Sequence, residues 1–156
     1  MSLSILPVDL KEILPLRNLF LQENNFQIRY NACHERGWTD SYILLCNEEK
    51  IGYGSVKGNE NIKDRDTVFE FYIIPPYRRV SSNAFSKLLS VSGVSFIECQ
   101  SNDLLLTALL YEYGQHINSD VVLFEENTQS CLYVKNVLFR SANLHLHVYG
   151  SHSRAW

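Results

Sequence analysis

The residues best suited to hold an anion lie just after a strand-like run that two prolines end. The run 67–74 is rich in β-branched and aromatic residues, and Pro75 and Pro76 stop it because proline cannot donate to a sheet ladder. The residues that follow are basic or mostly small and polar: Arg78, Arg79, Val80, Ser81, Ser82 and Asn83. Turn N–H groups and a helix N-terminus together can bind a phosphate. The sequence therefore leaves two interpretations open here, an anion site and a solvated, positively charged loop.

Histidines and cysteines are the other side chains that can bind a metal or act as nucleophiles. His145 and His147 would share one face of a predicted strand, with His152 nearby, but nothing else supplies further ligands. We therefore expect surface histidines and no metal site. The cysteines are widely spaced and form no C-x-x-C pair: Cys33, Cys46, Cys99 and Cys131. They are typical of reduced packing residues, since the alternative of a nucleophilic thiolate would need a nearby histidine.

Alternating strands and helices must position these groups. Strands are predicted at 3–8, 41–46, 51–56, 67–74, 94–99 and 121–124, with two further extended runs at 131–139 and 144–149. Three helices are predicted. The first spans 10–23, the second begins at Ser81 or Ser82 and ends at Gly93, and the third spans 102–113. The short polar link 47–50 makes its two flanking strands an antiparallel hairpin. The order β-α-(α)-β-β-β-α-β-α-β-β indicates an α/β fold of the α+β type, with helices packed on a mixed sheet.

Length and charge exclude several classes of protein. The 156 residues, 46% hydrophobic and 20% charged, suit a single soluble domain over residues 1–156. The net charge of -3 provides no diffuse positive field for a nucleic-acid backbone. The apolar runs are shorter than the roughly 20 residues that a bilayer span needs, and no basic region precedes an apolar block at the N-terminus. We therefore expect a cytoplasmic protein without nucleic-acid or membrane partners.

The stretch 71–85, with the sequence FYIIPPYRRVSSNAF, resembles the motif of the GNAT (GCN5-related N-acetyltransferase) superfamily. In that family a strand ends in an apolar-x-Pro-x-x-Arg pattern, and a glycine-rich turn leads directly into a helix. Ile73, Pro75 and Arg78 match the strand end, whereas Ser81 and Asn83 stand where the family has glycine or alanine. The resemblance implies a mostly antiparallel central sheet flanked by helices, with acetyl-CoA as co-substrate. The residues that it places at the cofactor are Tyr72, Ile73, Ile74, Arg78, Arg79, Val80, Ser81, Ser82 and Asn83.

The resemblance also implies an acid and a base for acetyl transfer to an amine. A carboxylate on the central strands of these enzymes often accepts the amine proton, and a tyrosine on a later helix often protonates the leaving thiolate. Glu70 is the first candidate base here, and the alternative is an exposed carboxylate or the partner of a lysine or arginine. Glu98 is a second candidate. Tyr111 is the candidate acid, and Tyr113 is an equally available phenol.

Two functions follow from this resemblance, which covers about residues 1–126. The first is acetyl-CoA-dependent N-acetylation of a small-molecule or peptide amine. The second is a catalytically inactive module with a structural, regulatory or dimerisation role, because each replaced glycine adds a Cβ where backbone should approach the ligand. The sequence also resembles the N-terminal half of longer two-module GNAT proteins, and such a half would expose an apolar surface or form a homodimer. The 127–156 segment is expected to add strands.

Overall fold

The computed structural model of the protein describes residues 2–24, 26, 28–126 and 132–141, with side chains as far as residue 119. The strands are β1 (Leu3–Val8), β2 (Thr39–Cys46), β3 (Glu49–Lys57), β4 (Thr67–Ile73), β5 (Phe96–Gln100), β6 (Ile117–Glu126) and β7 (Leu132–Ser141). The helices are α1 (Leu10–Glu23), α2 (Asn31–Glu35), α3 (Ser81–Ser92) and α4 (Leu104–Tyr113), and a 3₁₀ helix spans Pro75–Val80. The predicted order of elements is confirmed. Several expectations from the sequence fall outside the described residues. They concern the strand at 144–149 and the side chains of His145, His147, His152 and Cys131.

The strands form one sheet in the order β1-β2-β3-β4-β5-β7-β6. The β4–β5 pair is parallel, and every other neighbouring pair in the sheet is antiparallel. The 3₁₀ helix and α3 form the crossover that a parallel connection requires. The predicted fold class, a mostly antiparallel mixed sheet flanked by helices, is confirmed.

The β2–β3 hairpin turns through two residues, Asn47 and Glu48. Both have positive φ angles, 49° and 71°, and Cys46 pairs with Glu49 across the turn. This is the geometry of a two-residue hairpin whose twist matches that of the flanking strands. The antiparallel hairpin predicted from the polar link is therefore present, and β3 begins inside the link, at Glu49, whereas β2 ends at Cys46 as expected.

The two faces of the sheet carry separate hydrophobic clusters. On one face, α3 and α4 bury apolar side chains against β3, β4 and β5, with Phe85, Leu88 and Leu110 fully buried. On the other face, α1 packs Ile13 and Phe20 against aromatic side chains of β3 and β4. Each face of the central strands is thus covered by helices. Charged side chains on these strands must therefore find their partners inside the protein.

The chain between β4 and α3 differs from the predicted loop. Pro75 begins a 3₁₀ helix, because proline fixes φ in the helical range and suits a first helical turn. Ser81 is then the first residue of α3, and neither Ser81 nor Ser82 caps the helix, since Val80 occupies the cap position. The first turn of α3 consequently consists of the residues predicted to form the phosphate-binding turn.

The buried cysteines pack as small apolar side chains, as predicted. Cys46 and Cys99 lie in the core with free thiols, and burial raises the pKa of the Cys99 thiol to about 12. A thiol with so high a pKa is not a nucleophile at neutral pH. No helix in the described part of the chain is long and apolar enough to span a bilayer.

Candidate active site

The parallel strands β4 and β5 pair only where they begin. Their ladder joins Thr67 to Phe96 and Val68 to Ile97. In these two strands, as the structure describes them, no later residues are paired. The carboxyl ends of β4 and β5 are therefore not joined by ladder hydrogen bonds. In open α/β sheets, ligands bind in crevices at the carboxyl ends of strands, so this opening is the first place to look for a site.

A β-bulge in β4 directs two successive side chains toward the α1 and α2 side of the sheet. Ser55 of β3 pairs with Glu70, whereas Val56 pairs with Val68, so Phe69 is an extra residue in β4. Phe69 packs its ring 5.4 Å from that of His34, and Glu70 contacts the same histidine. Bulges of this kind re-aim side chains and are common beside active sites.

Glu70 is buried, with 2% of its surface exposed, and three side chains bond to its carboxylate. Arg17 of α1 donates from Nε at 3.0 Å and from Nη2 at 2.9 Å, and the Tyr53 hydroxyl donates at 2.9 Å. The Nε2 atom of His34 lies 3.2 Å from Oε2 of Glu70. Burial raises the pKa of Glu70, but the hydrogen bonds from His34 and Arg17 outweigh it, and the net shift is downward.

This environment matches the structural role that the sequence left open for Glu70. A carboxylate with a lowered pKa is a weak proton acceptor, and its lone pairs already face donors. Arg17 also donates from Nη1 to Asn31 at 3.0 Å and from Nη2 to the Arg29 carbonyl. The ion pair therefore ties β4 both to α1 and to the segment that leads into α2.

β5 holds the same segment through two polar side chains. Gln100 bonds both backbone groups of Ile28, donating to its carbonyl at 2.6 Å and accepting its N–H at 3.0 Å. Glu98, the second candidate base, accepts from Lys57 Nζ at 3.1 Å and from the Tyr30 hydroxyl. Glu98 is 1% exposed, so it too acts as the partner of a buried cation. We call residues 28–30 the connecting segment.

A small cavity lies where the connecting segment meets β4, β5 and α1. Aromatic and acidic side chains line much of it: Phe20, Phe26, Tyr30, Phe69, Glu70 and Asp103. Asp103 caps α4, with Oδ1 accepting the Leu106 N–H at 3.0 Å, and it is 4% exposed. Burial and the charge of Glu70 raise the pKa of Asp103 to about 7. A carboxyl group so perturbed, in a cavity, marks a candidate functional residue.

Sequence reasoning did not select Asp103, because the helix was expected to begin at residue 102. The signal was available, since aspartate is a preferred N-cap and three apolar residues follow it. An N-cap aspartate at the end of a buried strand has its side chain close to the strand end. Its place in the cavity depends on the β4–β5 opening, which the sequence does not reveal.

The residues expected to contact the cofactor are divided between β4, the 3₁₀ helix and the first turn of α3. Tyr72, Ile73 and Val80 are buried, and Ile74 is half-buried. Arg78 turns toward α1, where it pairs with Glu23, and its Nε lies 3.4 Å from the Ile73 carbonyl. The remaining members of the set are exposed or half-buried: Arg79, Ser81, Ser82 and Asn83. The structure therefore brings the last four together at the N-terminus of α3 and directs Arg78 elsewhere.

The two candidate acids of α4 occupy different environments. Tyr111 is 63% exposed. Tyr113 is half-buried, and its hydroxyl donates to the Ser82 carbonyl at 3.0 Å and lies 2.9 Å from the Ser82 hydroxyl. The Ser82 hydroxyl also donates to the Glu112 carboxylate. The end of α4 thus lies against the first turn of α3.

Comparison with known folds supports the architecture. An acetyltransferase of the GNAT family from Colwellia psychrerythraea superposes with a TM-score of 0.68 at 13% identity, over 82% of this chain. The alignment spans 48% of the Colwellia protein, so this chain is about half its length. Spermidine N-acetyltransferase from Vibrio cholerae, solved with CoA and spermine, gives a TM-score of 0.56 at 12% identity over 92% of this chain and 95% of its own.

A third similar structure is RimL, a ribosomal L7/L12 alpha-N-protein acetyltransferase in complex with coenzyme A. It gives a TM-score of 0.57 at 13% identity and covers 94% of this chain and 96% of its own. No curated protein matches the sequence. Residues 9–127 match the family described as an acetyltransferase (GNAT) domain, which is more than half of the chain. The chain therefore belongs to the GNAT acetyltransferase family.

Proposed function

We propose that the protein transfers an acetyl group from acetyl-CoA to the amine of a small molecule or peptide. The observation that carries the proposal is the opening between the carboxyl ends of β4 and β5, which the crossover through α3 adjoins. Two structural relatives support it, since one is a spermidine N-acetyltransferase solved with CoA and spermine and the other a protein acetyltransferase solved with CoA. We further propose a cytoplasmic location, from the sequence features above.

The first turn of α3 fits an anionic ligand in three respects. No side chain caps its N-terminus, where the Ser81 N–H donates to the Arg78 carbonyl of the preceding 3₁₀ helix. Ser82 offers a hydroxyl, and Arg79 places a cation nearby on the exposed side of the 3₁₀ helix. α3 is 12 residues long, which is enough for a helix dipole that favours negative charge at this end. We propose that these groups hold the pyrophosphate.

Acetyl transfer requires the amine to lose a proton and the leaving thiolate to gain one. Glu70 and Tyr111 remain the predicted base and acid from the sequence. Their environments favour other groups in these roles, because the carboxylate of Glu70 has three hydrogen-bonding partners and Tyr111 is largely exposed. Tyr113 is the better placed phenol in our proposal, since its hydroxyl already contacts the first turn of α3.

Binding of acetyl-CoA is the direct test. At a hundred times its dissociation constant, a ligand stabilises a protein by about 2.7 kcal/mol, which for a chain of this size raises Tm by roughly 5–11 °C. Arg79→Ala should weaken the shift, whereas Lys63→Ala, which removes the same charge from a distant exposed loop, should not. Transfer is then measured by release of free CoA with spermidine, butylamine and a lysine peptide as acceptors. Absence of any shift at millimolar acetyl-CoA would contradict the proposal.

The inactive module remains the second candidate, and one contact favours it. Ser82 bonds to the Glu112 carboxylate, so a negative charge of the protein already lies at the turn proposed for the pyrophosphate. The chain also spans about half of the Colwellia acetyltransferase, as half of a two-module protein would. This candidate predicts no acetyl-CoA shift together with a homodimer in sedimentation velocity. A monomer that binds acetyl-CoA would contradict it.

A further inference from the structure

A second and larger cavity lies at the start of β2, at the opposite end of the sheet from the β4–β5 opening. Its volume of about 630 Å³ is that of a small-molecule site. The sheet register fixes its place, since Thr39 of β2 pairs with Lys57, and Lys57 pairs with Thr67, where β4 begins. The described residues that line it come from β1, α1, α2, β2 and the turns between them. We call it the β2 cavity.

A hydroxyl group and an imidazole ring in the wall of the β2 cavity are hydrogen-bonded to each other. The Oγ1 atom of Thr39 lies 2.9 Å from Nδ1 of His34, and both residues line the cavity. The turn after α2 brings them together, because Gly37 has a φ of 68° and the Trp38 N–H donates to the Cys33 carbonyl at 2.9 Å. This is a reversal with which glycine commonly ends a helix. The chain consequently enters β2 with Thr39 beside His34.

The other nitrogen of the His34 ring contacts a carboxylate. Nε2 lies 3.2 Å from Oε2 of Glu70, and the lowered pKa of Glu70 keeps that group ionised, so that it only accepts hydrogen bonds. A neutral imidazole ring has one N–H, which Nε2 must therefore supply to Glu70. Nδ1 is left as the acceptor of the Thr39 hydroxyl proton. Hydroxyl, imidazole and carboxylate thus follow one another in the order of a hydrolytic triad.

A second hydroxyl group lines the β2 cavity on the same face of β2. Ser41 lies two residues beyond Thr39, and side chains two residues apart in a strand point to the same side. Ser41 is 4% exposed, and among the described residues no group bonds to its hydroxyl. A buried hydroxyl without a partner can donate to a ligand that enters the cavity. Beside a nucleophile, such a donor can stabilise negative charge on a carbonyl oxygen.

We propose that the β2 cavity hydrolyses small acyl esters through an acyl-threonine intermediate, with Thr39 as the nucleophile and His34 as its general base. Ser41 donates to the carbonyl oxygen of the ester. Glu70 is a positioning residue, because it acts only through the ring of His34. Apolar residues of β1 and α1 provide a surface for the alkyl or aryl group of the ester: Pro7, Val8 and Leu10. The activity is separate from the proposed acetyl transfer, which belongs to the other end of the sheet.

The reaction balances with water as the second reactant. Thr39 Oγ1 attacks the acyl carbon of the ester while its proton passes to Nδ1 of His34. The bond between the acyl carbon and the alcohol oxygen breaks, and the alcohol leaves with that proton. Water then attacks the acyl-threonine and gives a proton to Nδ1, and Oγ1 takes this proton as it leaves. The products are a carboxylic acid and an alcohol.

Hydrolysis of 4-nitrophenyl acetate by the full chain tests the nucleophile. Thr39→Val removes the hydroxyl and keeps the shape of the side chain, so kcat/KM should fall by about a hundredfold or more, whereas Thr39→Ser should stay within about tenfold. Thr107→Val is the matched control, since the half-buried Thr107 hydroxyl bonds to the Gln100 carbonyl and not to a histidine. Absence of hydrolysis by the wild type, a loss below about threefold in Thr39→Val, or an equal loss in Thr107→Val would overturn the proposal.

Covalent labelling of the wild type tests the same residue without a variant that could fail to fold. Diethyl 4-nitrophenyl phosphate phosphorylates activated hydroxyl groups and leaves a stable adduct. We expect one diethylphosphoryl group per chain, located on Thr39 by tandem mass spectrometry, together with loss of ester hydrolysis. Protein unfolded in urea should not be labelled. A label on another residue, or hydrolysis that survives the reagent, would overturn the assignment of Thr39.

The role of Glu70 is tested by the proton on the His34 ring and by steady-state kinetics. In the wild type, ¹⁵N NMR should place the ring proton on Nε2; a proton on Nδ1 would mean that His34 donates to Thr39 and would overturn its role as the base. Glu70→Gln should lower kcat and leave KM unchanged, because the ring loses its fixed tautomer whereas Glu70 does not line the β2 cavity. An unchanged kcat would overturn the positioning role.

Discussion

Arg17 and Glu70 form an ion pair that is almost completely removed from water, with side chains 8% and 2% exposed. Taking two charges out of water is costly, and the pair repays that cost only through its geometry and additional hydrogen bonds. Here the guanidinium donates twice to the carboxylate, and Tyr53 and His34 bond to the remaining positions. The pair therefore specifies how α1 and the connecting segment dock on β4.

Replacing Arg17 with methionine should lower the free energy of unfolding by about 3–5 kcal/mol, because it leaves the Glu70 charge buried without its partner. Urea denaturation of the two proteins measures the difference. Arg36→Met is the matched control, since Arg36 is exposed and stacks on Trp38 at the surface. A loss below about 1 kcal/mol for Arg17→Met would show that the pair is not needed for docking.

The ionisation of Asp103 should make stability depend on pH in a defined direction. In the folded chain Asp103 keeps its proton up to about pH 7, whereas an unfolded aspartate loses it near its ordinary pKa of 3.8. Between these two pKa values the folded state binds more protons than the unfolded state does. The stability that the protonated Asp103 contributes is therefore lost as the pH rises through 7. Asparagine carries no such charge. The Tm of Asp103→Asn relative to the wild type should therefore increase between pH 5 and pH 8.

The control for this measurement is Asp64→Asn, which changes an exposed aspartate in the loop before β4. Its Tm difference from the wild type should be the same at both pH values. A constant difference for Asp103→Asn as well would mean that the buried carboxyl group is not perturbed in the folded protein.

At the scale of elements, the contact between α4 and α3 controls the proposed phosphate site. Glu112 places a carboxylate at the first turn of α3, where it interacts favourably with the helix dipole and competes with another anion. Removing this charge should therefore have opposite effects on stability and on ligand affinity.

Glu112→Gln should tighten acetyl-CoA binding by about two- to fivefold, the equivalent of roughly 0.3–1 kcal/mol at a helix N-terminus. The same variant should lose a similar amount of stability without ligand. Isothermal titration calorimetry measures the affinity, and Glu60→Gln, in an exposed loop, provides a control of equal charge change. Unchanged or weaker binding in Glu112→Gln would place the pyrophosphate elsewhere.

The elements themselves were largely predictable, because apolar periodicity and the residues that end a strand or helix are local signals. β1 was predicted at the observed residues, and β4 to within one residue at its end. The 3₁₀ helix before α3 was missed because proline was treated only as the end of a strand, although it also begins that helix. The β-bulge at Phe69 leaves no mark in the hydrophobic pattern, since the strand is buried on both faces.

The candidate site was less predictable because its partners are distant in sequence. Arg17 and Glu70 are 53 residues apart, and Gln100 reaches Ile28 across 72 residues. The sequence singles out Glu70 as a carboxylate on the motif strand, yet its identity as an ion-pair partner depends on which face of α1 is buried. Asp103 depends in addition on the β4–β5 opening, which only the assembled sheet creates.

For the whole molecule, the division between buried and surface charge predicts two different responses to salt. The ion pairs Arg17–Glu70 and Lys57–Glu98 are buried, and salt screens buried pairs weakly. The proposed phosphate contacts at the first turn of α3 are at the surface, where screening is effective. Raising the salt concentration should therefore weaken acetyl-CoA binding and leave the stability of the free protein nearly unchanged.

Between 50 and 500 mM NaCl, we expect the dissociation constant for acetyl-CoA to rise several-fold, whereas Tm without ligand changes by about 2 °C or less. Calorimetry measures both quantities on the same sample. A parallel fall of Tm and affinity would indicate that surface ion pairs carry much of the stability, contrary to the burial of the two pairs named above.

The place of β7 between β5 and β6 has a consequence for the order in which the protein forms during synthesis. β1 to β5 pair in the order in which they leave the ribosome, but the free edge of β5 must wait for β7, whose last residue is Ser141. At the usual rate of translation, the 41 residues after Gln100 take roughly two to eight seconds to emerge. During that interval the nascent chain presents an unpaired strand edge. Synonymous codon changes that slow translation between β5 and β7 should therefore increase capture by chaperones without altering the finished protein.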